Sequence, residues 1–278
     1  MKIAVASGKG GTGKTTVATN LALSLGKVQF CDCDVEEPNA NVFLHIPIQK
    51  ATDVSVKTPL INESLCTYCG ACARFCAFNA LAVVKEKVLT FPELCHSCGG
   101  CAMVCPQDAV SWNHHTIGSV ETGTKDNISL VQGILNIGES IAVPVIKAVK
   151  HQMVTDRPVI IDSPPGTACP MIESVEGADY CILVTEPTPF GLHDLKLAVN
   201  TVRHLYVPFG VIINQDGIGN DQVEQYCRKE KIPLLLKIPH SEDIARLYSK
   251  GEPFVPTSLY WQQQFQHVWE QIQQGLQQ

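Results

Sequence analysis

No run of apolar residues in this 278-residue chain approaches the roughly 18 needed for a membrane-spanning helix. Basic clusters are missing too. The 21 Lys and Arg face 27 Asp and Glu, for a net charge of −6, and they gather into neither a tail nor a stripe. Neither nucleic acid nor an anionic membrane is therefore an expected partner. The first strand-like run starts at residue 2, so no signal peptide is expected. A cytoplasmic protein is expected. Cysteine, by contrast, is abundant. Thirteen are present, eight of them between Cys66 and Cys105. Disulfides are rare in the cytoplasm, so the cluster points to metal. The length allows one large domain or two modest ones.

Gly8-Lys9-Gly10-Gly11-Thr12-Gly13-Lys14-Thr15 fits G-x-x-x-x-G-K-[ST], the phosphate-binding P-loop. It stands between an apolar run, Ile3 to Ala6, and an amphipathic stretch from Thr15 to Leu25. That strand–loop–helix context is what the motif requires. The glycines let successive N–H groups turn onto phosphates, and the helix N-terminus adds partial positive charge. Gly8, Gly10, Gly11, Thr12, Gly13, Lys14, Thr15 and Thr16 are the candidate ATP/ADP-binding residues. Lys14 is expected to neutralise the β/γ-phosphates and Thr15 to hold Mg²⁺.

The cysteines form two runs. Cys66, Cys69, Cys72 and Cys76 read C-x₂-C-x₂-C-x₃-C, and Cys95, Cys98, Cys101 and Cys105 repeat it 29 residues later. This duplicated spacing is that of the bacterial two-cluster ferredoxins, in which the fourth cysteine of each run serves the other cluster. Cys66, Cys69, Cys72 and Cys105 are thus expected to hold one [4Fe–4S] cluster, and Cys95, Cys98, Cys101 and Cys76 the second. Paired zinc sites are the alternative; they also use four cysteines, usually as two separated C-x₂-C knuckles. One departure is Ala77, where Pro106 in the second run has a proline.

Elsewhere, Val28 to Asp34 reads as a second strand ending in acid, and Val159 to Asp162 as a buried strand running into Ser163-Pro164-Pro165-Gly166. Further strands are expected at Tyr180–Val184, Phe209–Asn214 and Leu234–Pro239. Helices are expected at His193–Leu205, at Ser241–Ser249 and over the tail from Leu259. Cys31 and Cys33 read as small buried hydrophobes. The glycine-rich stretch Ile117–Lys150 gives no sharp pattern; it is expected to lead back to the nucleotide domain and to serve as a lid or partner surface. Strands alternating with helices imply an α/β fold with a mostly parallel, doubly wound sheet. The expected division is a nucleotide domain, 1–57 plus 116–278, carrying a small α+β ferredoxin-like insert, 58–115.

Lys9, giving Lys-Gly-Gly-Thr-Gly-Lys-Thr, resembles the deviant P-loop of the MinD/ParA/Mrp and nitrogenase iron-protein group. The resemblance extends to Asp32-Cys33-Asp34 and to Asp162-Ser163-Pro164-Pro165-Gly166. It implies a slow Mg²⁺-dependent ATPase that closes into a homodimer on ATP, with Lys9 reaching the partner's phosphates. It also implies that Asp34 positions the attacking water, Asp162 contacts Mg²⁺ through water, and Gly166 offers its N–H to the γ-phosphate. Asn214 stands where relatives place a base-reading asparagine, and a turn-capping role is its alternative; Pro239 is a further candidate at the nucleotide. Cys169 lies at the offset of a bridging-cluster ligand of the nitrogenase iron protein, but the second cysteine that such a cluster needs has no clear match here. Partners implied are a redox protein or an Fe–S acceptor protein. The tail helix resembles the membrane helix of MinD in place but lacks Lys and Arg on its polar face, so packing against the sheet is expected instead.

Overall fold

The computed structural model describes residues 1–277. In chain order its strands are β1 (Lys2–Ala6), β2 (Val28–Asp32), β3 (Ile48–Ile61), β4 (Leu81–Val83), β5 (Val88–Thr90), β6 (Val110–Lys125), β7 (Ile128–Leu135), β8 (Val159–Asp162), β9 (Tyr180–Thr185), β10 (Phe209–Asp216) and β11 (Leu234–Pro239). The helices are α1 (Lys14–Leu25), α2 (Ala40–Leu44), α3 (Ala71–Phe75), α4 (Gly100–Met103), α5 (Val143–Lys150), α6 (Cys169–Val175), α7 (Pro189–His204), α8 (Gln222–Lys229), α9 (Glu242–Ser249) and α10 (Leu259–Gly275).

Nine strands form one sheet in the order β11-β10-β9-β1-β8-β2-β7-β6-β3. Every pair from β11 to β7 is parallel, whereas β6 runs antiparallel to both β7 and β3. The central strands are apolar on both faces, as a parallel sheet covered twice requires. One face packs Val145, Val149, Met171, Leu195 and Val199; the other packs Val17, Leu21, Phe265, Val268 and Ile272. The tail helix α10 thus lies against α1 and the sheet, with Trp261 and Trp269 at the margin of its buried stripe. No helix among the described residues is long and apolar enough to cross a membrane.

Ile117–Lys150 is structured. It holds the second half of β6, all of β7 and α5. Three of its four glycines lie where a side chain cannot fit, and the fourth, Gly138, has a positive φ of 92°. A Cβ on Gly118 would meet the Ile134 carbonyl at 2.2 Å, one on Gly123 the Pro47 carbonyl at 2.2 Å, and one on Gly133 Val35 Cγ1 at 2.6 Å. Glycine here marks close packing in a sheet.

β3 and β6 pair from Ile48↔Gly123 to Ile61↔Val110, a long ribbon that leaves the body of the sheet. The cysteine-rich segment sits at its far end, closed by Asn62 N–H donating to the Ala109 carbonyl at 2.8 Å. Thr58 and His115 therefore both fall inside strands. The segment itself holds α3, α4 and the small β4–β5 hairpin.

Candidate functional site: a phosphate loop and two cysteine recesses

The P-loop connects β1 to α1. Gly11 and Gly13 adopt positive φ, 77° and 87°, which bends the loop around the helix N-terminus. Gly8 is fixed by packing, since a Cβ there would meet the Asp194 carbonyl at 2.1 Å. Thr12 is buried with an unpartnered hydroxyl. Lys14, only 6% exposed, lies 3.6 Å from Asp34 Oδ2. Thr15 Oγ1 donates to Asp162 Oδ2 at 2.5 Å, while Asp162 Oδ1 is buried without a partner.

These groups open onto a cleft of about 550 Å³. Gly10, Gly11, Gly13, Thr15 and Thr16 line one side of it. Asp34, Glu37 and Asn39 line another, and Asn214, Pro239, Ile244 and Tyr248 wall the far end. The volume suits a nucleotide. Burial pushes the Asp34 carboxyl up to about 6 against the opposing charge of Lys14, with Asp162 adding to the rise. Asp162 and Asp32 are likewise held above the usual carboxylate range, first by burial; the charge of Asp162 raises Asp32 further. Carboxyls that are costly to ionise, together with an unpartnered buried oxygen on Asp162, fit a site for a divalent cation, with Thr15 and Asp162 as its protein groups.

Several placements differ from the reading of the sequence. β2 ends at Asp32, so Asp34 lies on the following loop rather than on the strand. Asp32 is a structural anchor: its carboxylate accepts the N–H groups of Asp34, Asn39 and Ala40, each at 3.1 Å. Gly166, at φ 92°, donates its N–H to the Ser7 carbonyl at 3.0 Å and so holds the loop against β1 in this conformation. Asn214 Nδ2 donates to the Thr12 carbonyl at 2.9 Å, which leaves Oδ1 as its free acceptor. Lys9 makes an ion pair within its own chain, 3.0 Å from Glu186 Oε2. Glu186 directly follows β9 in the link to α7, and it was not singled out in the sequence; its signal is an acid just past the C-terminal end of a central strand. The α9 wall of the cleft, Ile244 and Tyr248, was also not anticipated. Cys169 is exposed at the start of α6, and Cys31 and Cys33 are fully buried.

The eight clustered cysteines are all free thiols and sort into two recesses. Cys66, Cys69, Cys72 and Cys105 line one together with Ile61, Val83 and Val110. Cys76, Cys95, Cys98 and Cys101 line the other with Pro59, Phe78 and Trp112. The repeats match in detail. Tyr68 and Ser97 have φ near 54° and 52°, and Gly70 and Gly99 precede α3 and α4 at 74° and 79°. Ala80 N–H points at Cys76 Sγ and Ala109 N–H at Cys105 Sγ, each at 3.3 Å. The equivalent bonds persist despite Ala77. Among the described residues no three His, Cys, Asp or Glu side chains converge on the position of a single ion. A cubane is held differently, one thiolate at each iron corner. Four cysteines around an apolar recess, with amide N–H donors to sulfur, fit a cluster of that kind.

A phosphate loop between the first strand and first helix of a mostly parallel α/β sheet defines a P-loop nucleotide-binding protein. The model of the CobQ/CobB/MinD/ParA nucleotide-binding domain matches residues 3–254. The chain belongs to that family. It is 32% identical over 275 residues to an uncharacterized protein of Methanocaldococcus jannaschii, covering 92% of this chain and 98% of that one. It is 26% identical to the iron-sulfur cluster carrier protein of Pyrococcus horikoshii, covering 91% and 79%. Among solved structures, the septum site-determining protein MinD of Pyrococcus horikoshii, in complex with Mg-ADP, superposes with a TM-score of 0.58 at 20% identity. That match covers 98% of this chain and 95% of MinD and shows a common fold.

Proposed function

We propose that this protein is an ATP-binding and ATP-hydrolysing iron–sulfur protein that couples a nucleotide-driven dimer switch to electron transfer through two [4Fe–4S] clusters. The observation that supports this reading is the sorting of eight cysteines into two four-thiol recesses on a ribbon that belongs to the same sheet as the P-loop. In this reading Lys14 and the loop N–H groups bind the β/γ-phosphates. Thr15 and Asp162 hold Mg²⁺, which neutralises charge on the phosphates when bound. Asp34 orients the attacking water, and its neighbour Lys14 keeps it close to the reacting phosphate. Lys9 leaves Glu186 and reaches across to a second copy's triphosphate, where a cation stabilises the charge that builds during transfer. The cysteine thiolates hold clusters that supply one-electron chemistry to a redox partner.

Anaerobic purification followed by metal and sulfide analysis tests the first half: about eight iron and eight sulfide per chain are expected, the content of two cubanes. Reduction of the clusters with and without MgATP tests the second. Stoichiometric zinc without acid-labile sulfide, even after anaerobic reconstitution, would sink it.

A second reading, an ATP-dependent scaffold or carrier for Fe–S assembly, is favoured by the printed names of relatives such as the carrier proteins of Pyrococcus horikoshii and Aquifex aeolicus, 26% and 24% identical. Lability separates the two. Resident clusters resist chelators and cycle reversibly, whereas cargo passes to an apo-acceptor.

A further inference from the structure

The two cysteine recesses differ in their relation to the nucleotide cleft. The recess of Cys66, Cys69, Cys72 and Cys105 is walled entirely by residues 61 to 110, at or beyond the end of the ribbon. The loop of the other set folds back onto the body. Ser97 Oγ donates to the Lys57 carbonyl at 2.6 Å, and Ser140 Oγ donates to the Glu93 carbonyl at 3.0 Å. Cys95, His96 and Ser97 share a crevice with Glu139 and Ile141.

Residues 136–141 continue directly from β7, and β7 ends beside the loop that carries Asp34 into the nucleotide cleft. There Leu135 N–H donates to the Val35 carbonyl at 2.8 Å, one residue beyond Asp34. Val35 is 1% exposed and belongs to the same core as Val145 and Val149. Gly133 lets it approach β7 closely. A side chain packed this tightly moves with its neighbours or not at all. Within the segment, Asn136 N–H donates to the Ile117 carbonyl at 2.9 Å, and Glu139 Oε1 lies 2.7 Å from His115 Nε2. Both ends of a six-residue connection are therefore tied, one to the residue after Asp34 and the other to the loop carrying Cys95.

We propose that the segment Asn136–Ile141 transmits nucleotide occupancy at Asp34 to the Cys76/Cys95/Cys98/Cys101 site, and that the Cys66/Cys69/Cys72/Cys105 site has no such link. The inference rests on the nucleotide reading above. When Asp34 shifts to meet a triphosphate and its water, Val35 shifts with it, and the segment repositions Glu139 and Ser140 against residues 93 to 97. The second set is then the one whose surroundings respond to ATP; the first is left to face outward.

Hydrogen–deuterium exchange on the full, anaerobically purified chain tests this, with and without a non-hydrolysable ATP analogue and Mg²⁺. Peptides covering 33–40, 134–141 and 92–98 should change on binding, and those covering 66–72 should not. In a Glu139→Gln, Ser140→Ala variant the response at 92–98 should fall severalfold, while nucleotide affinity and the response at 33–40 stay at parental values. The low-temperature EPR signal of the reduced protein should shift with the analogue in the parent and not in the variant. An equal response at 66–72, or an undiminished response at 92–98 in the variant, overturns the proposal. Calorimetry keeps the two readings apart: an analogue that fails to bind defeats the nucleotide reading, and this inference with it, whereas binding without change at 134–141 defeats this inference alone.

Discussion

Lys9 cannot serve a partner's phosphates while it is paired with Glu186, so a dimer formed on ATP has to break that pair in each subunit. Glu186→Gln removes the competing charge and keeps the side chain's shape. The pair is 3.0 Å long, with the lysine side chain 34% exposed and the glutamate 13%. A partly exposed pair of this kind contributes about 0.5–1 kcal/mol. Two pairs are broken per dimer, which makes the cost about 1–2 kcal/mol, or roughly 5- to 30-fold in the dimerisation constant at 1.4 kcal/mol per factor of ten. Glu186→Gln should therefore dimerise at a correspondingly lower protein concentration in the presence of a non-hydrolysable ATP analogue. The gain should shrink at high salt, where the competing pair is screened. Sedimentation or light scattering across a concentration series measures it. Lys9→Ala serves as the reference, since it should keep monomeric nucleotide binding but lose dimerisation and most hydrolysis. If Glu186→Gln dimerises no better than the parent, the ion pair does not compete with the dimer and the argument fails.

Lys14→Ala should abolish nucleotide binding, whereas Asp34→Ala should bind nucleotide by calorimetry but fail to turn it over; parental turnover in Asp34→Ala would remove its role in orienting water. Burial raises Asp34 from an ordinary 3.8 to about 6 against the opposing charge of Lys14, and a net-negative Mg²⁺–triphosphate that engages Lys14 favours the protonated form further. Mg²⁺–nucleotide binding from about pH 5.5 to 7 should therefore take up protons, and the apparent affinity should fall as pH climbs through about 6. Titrations in two buffers of different ionisation enthalpy read this directly, and identical heats across that range would refute it. The same raised value makes Asp34 stabilising to the nucleotide-free fold below about 3.8, an effect lost as pH climbs through about 6. Gly133→Ala places a methyl 2.6 Å from Val35 Cγ1 and should destabilise the fold by about 1–3 kcal/mol. A melting temperature equal to the parent's would show that β7 and Val35 are less tightly packed than described.

What could be read from the sequence was chemistry with a fixed local spacing. Gly8 to Thr15 has to turn between a strand and a helix to be useful, and the cysteine runs carry their own periodicity, so both stood out without any knowledge of distant contacts. The strands that were missed fail for the opposite reason. β6 and β7 carry Gly118, Gly123 and Gly133 because backbone or side chains from Ile134, Pro47 and Val35 press against those positions. Those neighbours are set by the folded sheet, and from sequence alone close packing looks the same as a loose loop. Asp32 shows the same limit at a single residue. Asp32-Cys33-Asp34 reads as two acids on one strand. In the fold one is consumed by three backbone N–H groups at the strand end and only the other faces the cleft.

The partner of Lys9 was hidden in the same way, because Glu186 is 177 residues away and meets it only through the parallel pairing of β1 with β9. That pairing places the ends of both strands at one edge of the sheet, where open α/β sheets collect their ligands. An acid just past the end of β9 is thereby brought against the phosphate loop that follows β1, and it competes for a cation that the triphosphate would otherwise attract. The same geometry explains why the ribbon leaves from the β3–β6 side. The P-loop edge is occupied by nucleotide-facing loops from β1, β2, β8, β10 and β11, so an insert reaches that chemistry only along a strand whose neighbour already ends there. β7 is that neighbour. It lies beside β2 in register from Val28↔Ile128 to Asp32↔Gln132, and it delivers residue 135 to Val35. A sheet order that put β7 anywhere else would leave the cysteine sites attached to the protein but mechanically separate from its nucleotide.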